Sequence, residues 1–153
     1  MPLLLARHAV AVARRKWDAD DDDRPLTKRG VRQAEALAAR LAAYPAGRVL
    51  SSPAVRCVDT IRPLATAMGL RVETTDALAE GSTDAALRLV RGLQGRTAVL
   101  CSHGDVIPRI LEALVVHDGI DLGERPEWPK ASTWVVEDDG ERFVKAFYVE
   151  PPA

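Results

Sequence analysis

Four residues in this chain have the types and positions to handle a small anion: Arg7, His8, Arg56 and His103. An arginine is always charged and offers a planar fork of donors, which suits phosphate or carboxylate. A neutral imidazole is nucleophilic near pH 7. A phosphoryl group fits the whole set. Two guanidinium groups would hold its oxygens, one ring would attack phosphorus, and the other would stabilise the developing charge. Each residue also has an ordinary structural use. Taken alone, Arg56 reads as a solvated helix residue, His103 as a helix cap and His8 as a loop residue.

Two apolar runs position the histidines. Leu3-Leu4-Leu5-Ala6 ends in Arg7-His8, and Thr97-Ala98-Val99-Leu100-Cys101 ends in Ser102-His103-Gly104. Both read as strands buried on two faces. In open α/β sheets, ligands bind at the ends of such strands. Arg56 falls in the first turn of the helix that follows a short strand over 48–51. His103 opens a helix whose free N–H groups favour an anion.

The remaining pattern completes a layered domain. Thr27 is placed to cap a helix over about 28–43, with Val31, Ala34, Leu37, Ala38 and Leu41 at helical spacing. Ser52-Pro53 leads into the next helix, which Pro63 is expected to kink or split. A brief strand over 71–73 and a helix over about 83–93 follow. The helix after His103 should bury Val106, Ile107, Ile110, Leu111, Leu114 and Val115, and 117–129 reads as a loop. Asp138-Asp139-Gly140 joins two strands, 132–136 and 142–149, into a hairpin. The order predicts one domain over 1–153. It is an α/β fold, a three-layer α/β/α sandwich with a mostly parallel central sheet and a C-terminal hairpin.

Composition narrows the function. The formal charge of −1 argues against nucleic acid or an anionic membrane as partner, so any anion site must be local. Cys57 and Cys101 form no CxxC motif and read as reduced core thiols rather than a disulfide or zinc site. The short N-terminal run meets Arg7 at once, unlike a signal peptide or membrane span, which predicts a cytoplasmic protein. No glycine fingerprint follows the first strand, which excludes a plain dinucleotide-binding domain. Val144, Phe147 and Val149 could cover a sheet edge or join a weak dimer, with a monomer preferred.

Arg7-His8-Ala9, Ser51-Ser52-Pro53-Ala54-Val55-Arg56 and Ser102-His103-Gly104 resemble, in order, the signatures of the histidine phosphatase superfamily, the phosphoglycerate-mutase-like fold. The usual first signature is Arg-His-Gly. Arg-His-Ala, with Arg24-Pro25-Leu26-Thr27-Lys28-Arg29-Gly30, resembles the small phosphohistidine phosphatases of the SixA type. The resemblance implies that His8 becomes a phosphohistidine and that Arg7, Arg56 and His103 complete the phosphate pocket, without metal or cofactor. A backbone carbonyl should hold the other ring nitrogen of His8, with Gly30 or a close neighbour as the candidate. Glu80 resembles the proton donor of the mutase branch, which SixA-type enzymes lack, and its alternative is an exposed loop glutamate. Asp105 ranks behind it, as the first residue of a helix.

Several segments resemble the C-terminal phosphatase domain of actinobacterial tandem proteins that carry a Nudix domain ahead of it. They are Arg15-Lys16-Trp17, Arg56-Cys57-Val58-Asp59-Thr60, 101–108 and 130–134. That family acts on oxidised guanine nucleotides or dinucleoside polyphosphates, and this sequence, with no Nudix box, resembles a stand-alone form. Candidate substrate contacts are Arg24, Thr27, Lys130, Trp17 and Gly104. Arg24 could equally pair with the run Asp20–Asp23, which reads as a solvated acidic loop rather than a cation site. Trp17 could stack on a base or pack as a surface hinge.

The leading expectation is therefore a hydrolase of phosphomonoesters or phosphoanhydrides, nucleotides included. The alternatives are a phosphatase of protein phosphohistidine and a non-catalytic phosphate-binding module.

Overall fold

The computed structural model describes residues 1–153. Six strands form one sheet in the order β3-β2-β4-β1-β5-β6. They are β1 (Pro2–Arg7), β2 (Arg48–Ser51), β3 (Val72–Thr74), β4 (Ala98–Ser102), β5 (Thr133–Asp138) and β6 (Phe143–Val149). β1 to β4 run parallel, and β5 returns antiparallel beside β1. Four helices connect or flank them: α1 (Lys28–Leu41), α2 (Val55–Ala67), α3 (Asp84–Gly92) and α4 (Val106–Asp118).

Alternation along β1 decides the layers, because successive side chains leave opposite faces of a strand. Leu3 and Leu5 join residues of α3 and α4, including Val90, Ile107, Ile110 and Leu114, in one buried cluster. Leu4 and Ala6 join residues of α1 and α2, including Leu37, Leu41, Ile61 and Leu64, in another. Each fully buried Leu or Ile contributes about 1.5–3 kcal/mol over leaving it exposed. The expected three-layer sandwich is thus the observed one, hairpin included.

Local details differ from the sequence pattern. Val31 is 46% exposed, and Gly30 and Gln33 take the buried positions of the first turns of α1. Val115 is also exposed, one step off the stripe of α4. Pro63 lies inside an unbroken α2, so the helix absorbs one lost hydrogen bond. Pro53 stands ahead of α2, whose cap is Ala54. Thr27 does cap α1, accepting from Gly30 N at 3.0 Å. No helix is long and apolar enough to cross a membrane. β6 is an edge strand that leaves Val144 and Phe147 exposed.

Candidate active site

The ends of β1, β2 and β4 fall at one edge of the sheet. Arg7 aligns with Ser102, and Ser51 with Cys101. His8 and His103 follow directly, with ring centroids 5.6 Å apart and planes at 66°. An open cleft of about 920 Å3 covers them and is lined also by Arg7, Arg14, Arg24, Glu80, Gly104 and Lys130.

The segment carrying His8 is pinned by backbone bonds. His8 N donates to Ser102 O (3.1 Å), and His8 O accepts from Ala131 N (3.0 Å). Ala9 N donates to Thr60 Oγ1 on α2 (2.8 Å), and Val10 N to Gln33 Oε1 on α1 (3.1 Å). The His8 ring places Nδ1 2.8 Å from the Ala9 carbonyl. A carbonyl can only accept, so Nδ1 carries the proton and Nε2 keeps a free lone pair. This corrects the expected role of Gly30. Its own carbonyl is not the partner, and a Cβ at Gly30 would lie 2.0 Å from Val10 O. Glycine is therefore needed there for the close approach of α1 to this loop.

Burial depresses the His8 pKa from 6.5 to about 3, and the nearby His103, Arg56 and Arg7 push the same way against the raising effect of the Ala9 hydrogen bond. The ring is therefore neutral at pH 7.

Arg56 is fully buried. Its Nη1 donates to Asp21 O (2.8 Å). Its Nη2 lies 3.2 Å from Asp21 Oδ2, 3.0 Å from Glu80 Oε1 and 3.4 Å from His103 Nδ1. Its Nε has no partner, nor does the buried Nε of Arg7. Arg7 Nη1 donates to Trp128 O at 3.0 Å. The Arg7 guanidinium lies against Gly104, where a Cβ would stand 2.7 Å from its Cζ. Gly104 thus makes room for Arg7 as well as lining the cleft.

His103 is held by Ser52, whose Oγ lies 2.8 Å from Nε2 and also accepts from Ala54 N. Arginine can only donate, so the Arg56 contact makes Nδ1 an acceptor in the neutral ring and sends the ring proton to Ser52. Glu80 Oε1 lies 3.7 Å from that Nδ1 and 3.4 Å from Arg14 Nη2. Asp105 does not cap α4 with its side chain. It accepts from Gly81 N at 2.8 Å and so fixes the loop carrying Glu80.

The wider candidates divide. Arg24 and Lys130 line the cleft. Thr27 does not, because its hydroxyl serves the α1 cap and donates to Val10 O. Trp17 lines an adjoining hollow of about 260 Å3 with Arg14, Asp21 and Glu80. The acidic run is less solvated than expected: Asp21 alone contacts Arg14, Arg24 and Arg56. The pairing of Arg24 with the acidic run, one of the two readings the sequence offered, is found at Asp21. The contact of Asp21 with Arg56, and the parts played by Ser52 and Thr60, were not foreseen. For Ser52, its place at the end of β2 was the available signal.

Residues 3–86 match the histidine phosphatase superfamily (branch 1), and the chain belongs to it. It is similar to an 8-oxo-(d)GTP phosphatase of Mycolicibacterium smegmatis, 37% identical over 98% of this chain. The chain spans 48% of that curated relative. Two solved structures share the fold. A protein histidine phosphatase SixA complexed with tungstate is 19% identical, with a TM-score of 0.77 over 100% of this chain and 97% of the other. A mycobacterial glucosyl-3-phosphoglycerate phosphatase in complex with VO3 is 19% identical, with a TM-score of 0.73 over 99% of each.

Proposed function

We propose that this chain is a phosphatase that carries a phosphoryl group on His8 Nε2 and passes it to water. The observation behind the reading is the His8 ring. It is buried, neutral and fixed through Nδ1, with Nε2 left free in a cleft lined by Arg7 and His103, behind which the buried Arg56 lies against His103.

In the first step Nε2 attacks phosphorus, a P–N bond forms, and the bond from phosphorus to the leaving oxygen breaks. Arg7 and Arg56 bind the equatorial oxygens. Once Arg56 turns from His103 to the phosphoryl group, the His103 ring moves its proton to Nδ1. Ser52 Oγ–H then donates to the freed Nε2, and Nδ1–H donates to a phosphoryl oxygen. The substrate enters as its monoanion, and the Glu80 carboxylate takes the phosphoryl proton and delivers it to the leaving oxygen. In the second step water attacks phosphorus and loses a proton to Glu80. The P–N electron pair returns to Nε2, and inorganic phosphate departs with the proton from Glu80, leaving the carboxylate as it began. Arginine supplies the positive charge, and the cycle uses no metal.

The substrate class we favour is a phosphomonoester or phosphoanhydride, nucleotides included. The sequence relationship to the 8-oxo-(d)GTP phosphatase supports the nucleotide. Glu80 beside His103 and Arg56 supports an oxygen leaving group, since a phosphohistidine substrate needs less proton donation. We further read the chain as cytoplasmic, which the free thiols of Cys57 and Cys101 support.

The test is metal-free hydrolysis of p-nitrophenyl phosphate, sugar phosphates, guanosine di- and triphosphates and a phosphohistidine-bearing domain. Turnover by the native chain, lost at least about 10³-fold in His8→Ala, is the expected result. Equal rates in both proteins would refute the phosphohistidine route. Turnover of the phosphohistidine domain alone would return Glu80 to the surface.

A further inference from the structure

The cleft is far larger than one phosphoryl group, and one part of it has cationic groups beyond those assigned to phosphoryl transfer. Arg24 is only 7% exposed. Its Nε donates to Asp21 Oδ1 (3.1 Å) and its Nη1 to Val12 O (2.7 Å). Those bonds fix the plane of the guanidinium and leave Nη2 without a partner in the protein. Lys130 lines the same cleft and makes no ion pair. The charges that act on it are those of Arg7 and Arg24, both cationic. Asp21 answers Arg24, but Lys130 has no carboxylate partner, and an anion held between it and Arg24 would relieve the repulsion of the two cations.

The backbone holds Lys130 in this position. Ser132 N donates to Pro129 O (3.0 Å), closing a turn with Lys130 and Ala131 at its centre. Ala131 has φ 65° and is the one residue other than glycine with positive φ. Such a conformation persists where the surroundings over-determine it, and it marks functional loops. Here the constraint is the bond from Ala131 N to the carbonyl of His8. The turn is thus tied to the residue we take as nucleophile.

We infer that Arg24 and Lys130, sharing Arg7, form a second anion subsite beside the phosphoryl pocket. Its ligand is a phosphate linked directly to the one transferred. The inference rests on the phosphatase reading and narrows it to phosphoanhydrides, such as nucleoside di- and triphosphates, over sugar monoesters. In that reaction the terminal phosphorus bonds to His8 Nε2 while its bond to the bridging oxygen breaks. The bridging oxygen keeps the electron pair and leaves on the neighbouring phosphate, where Arg24 and Lys130 offset the added charge.

Calorimetric titration with methylenediphosphonate and with methylphosphonate tests the subsite without turnover. The native chain should bind the diphosphonate at least about tenfold more tightly, as expected of added hydrogen bonds to charged groups. Lys130→Gln should shrink that preference to about twofold, and Lys130→Arg should retain most of it. Equal affinities in the native chain, or an unchanged preference in Lys130→Gln, would overturn the inference. A Lys130-dependent preference in a protein that hydrolyses no phosphate would keep the subsite and remove the phosphatase reading instead.

Discussion

The two ends of the sheet each hold an arginine against carboxylate, and the two arrangements are opposites. At the far end, Arg91 grips Asp118 with both terminal nitrogens, at 2.8 and 2.5 Å. Asp118 Oδ2 also accepts from Phe143 N at the start of β6, and Arg91 lies 5.8 Å over the Phe143 ring. The Arg91 guanidinium, then Phe143 N–H, hold the Asp118 carboxyl below its usual range, against burial. That is a closed, bidentate clamp joining α3, α4 and β6. At the site end, Arg56 divides one nitrogen among Asp21, Glu80 and His103, and its Nε is unpaired. Its carboxylate partners sit on exposed loops, at 36% and 46% exposure. A closed pair fastens the fold. An open one, with Nε unspent and its carboxylate partners on exposed segments, can exchange those carboxylates for a phosphoryl oxygen.

Paired substitutions test this contrast. Arg56→Lys should lower kcat/KM for p-nitrophenyl phosphate by about 10²–10³-fold, since an ammonium cannot reproduce the fork at the transition state. Arg91→Ala should leave that ratio within about twofold and cost stability instead. Breaking a buried pair costs about 3–5 kcal/mol, and the 39% exposure of Arg91 reduces this to about 2 kcal/mol in urea unfolding. If Arg91→Ala lost activity with unchanged stability, the division between clamp and site would be wrong.

The site end should also carry an acid liability through His8. The folded pKa, about 3, lies below the ordinary 6.5, so the unfolded chain binds more protons between those values. The contribution of a neutral His8 is full above pH 6.5 and is lost as pH falls through that window. By pH 5 the loss is about 2 kcal/mol. Urea unfolding at pH 7.5 and pH 5 should show this difference, and His8→Asn should flatten it. An equal slope in the variant would assign the acid sensitivity to other groups.

What the sequence made legible follows from chain-local pattern. The strand-end histidines, the Thr27 cap and the burial of Leu3, Leu4 and Leu5 on both faces of the first strand depend on neighbours in sequence, and each is found where the pattern put it. Asp21 was hidden because four adjacent aspartates look alike in sequence, while only one reaches Arg56 across 35 positions. The partner of the His8 ring was misplaced at Gly30 for a related reason. A carbonyl is present on every residue, and only the fold of the loop presents Ala9. Val31 and Val115 fit a helical stripe by hydrophobicity, but the stripe is narrower than the list of apolar residues.

The smallest effect concerns the two turns at either end of β5. Beyond its far end, Gly140 adopts φ 95°, which glycine accepts freely. Before its start, Ala131 adopts φ 65°, which costs an alanine about 1 kcal/mol. Ala131→Gly should relieve that strain but add about 0.5 kcal/mol of unfolded-state entropy to overcome. The net expectation is a gain of about 0.5 kcal/mol in urea unfolding. Gly140→Ala should run the other way, losing about 1 kcal/mol, because open space around its Cβ does nothing for the dihedral. If Ala131→Gly were instead destabilising, packing of the fully buried Ala131 methyl would outweigh its backbone strain, and the site turn would be held by its core contact rather than by the His8 carbonyl.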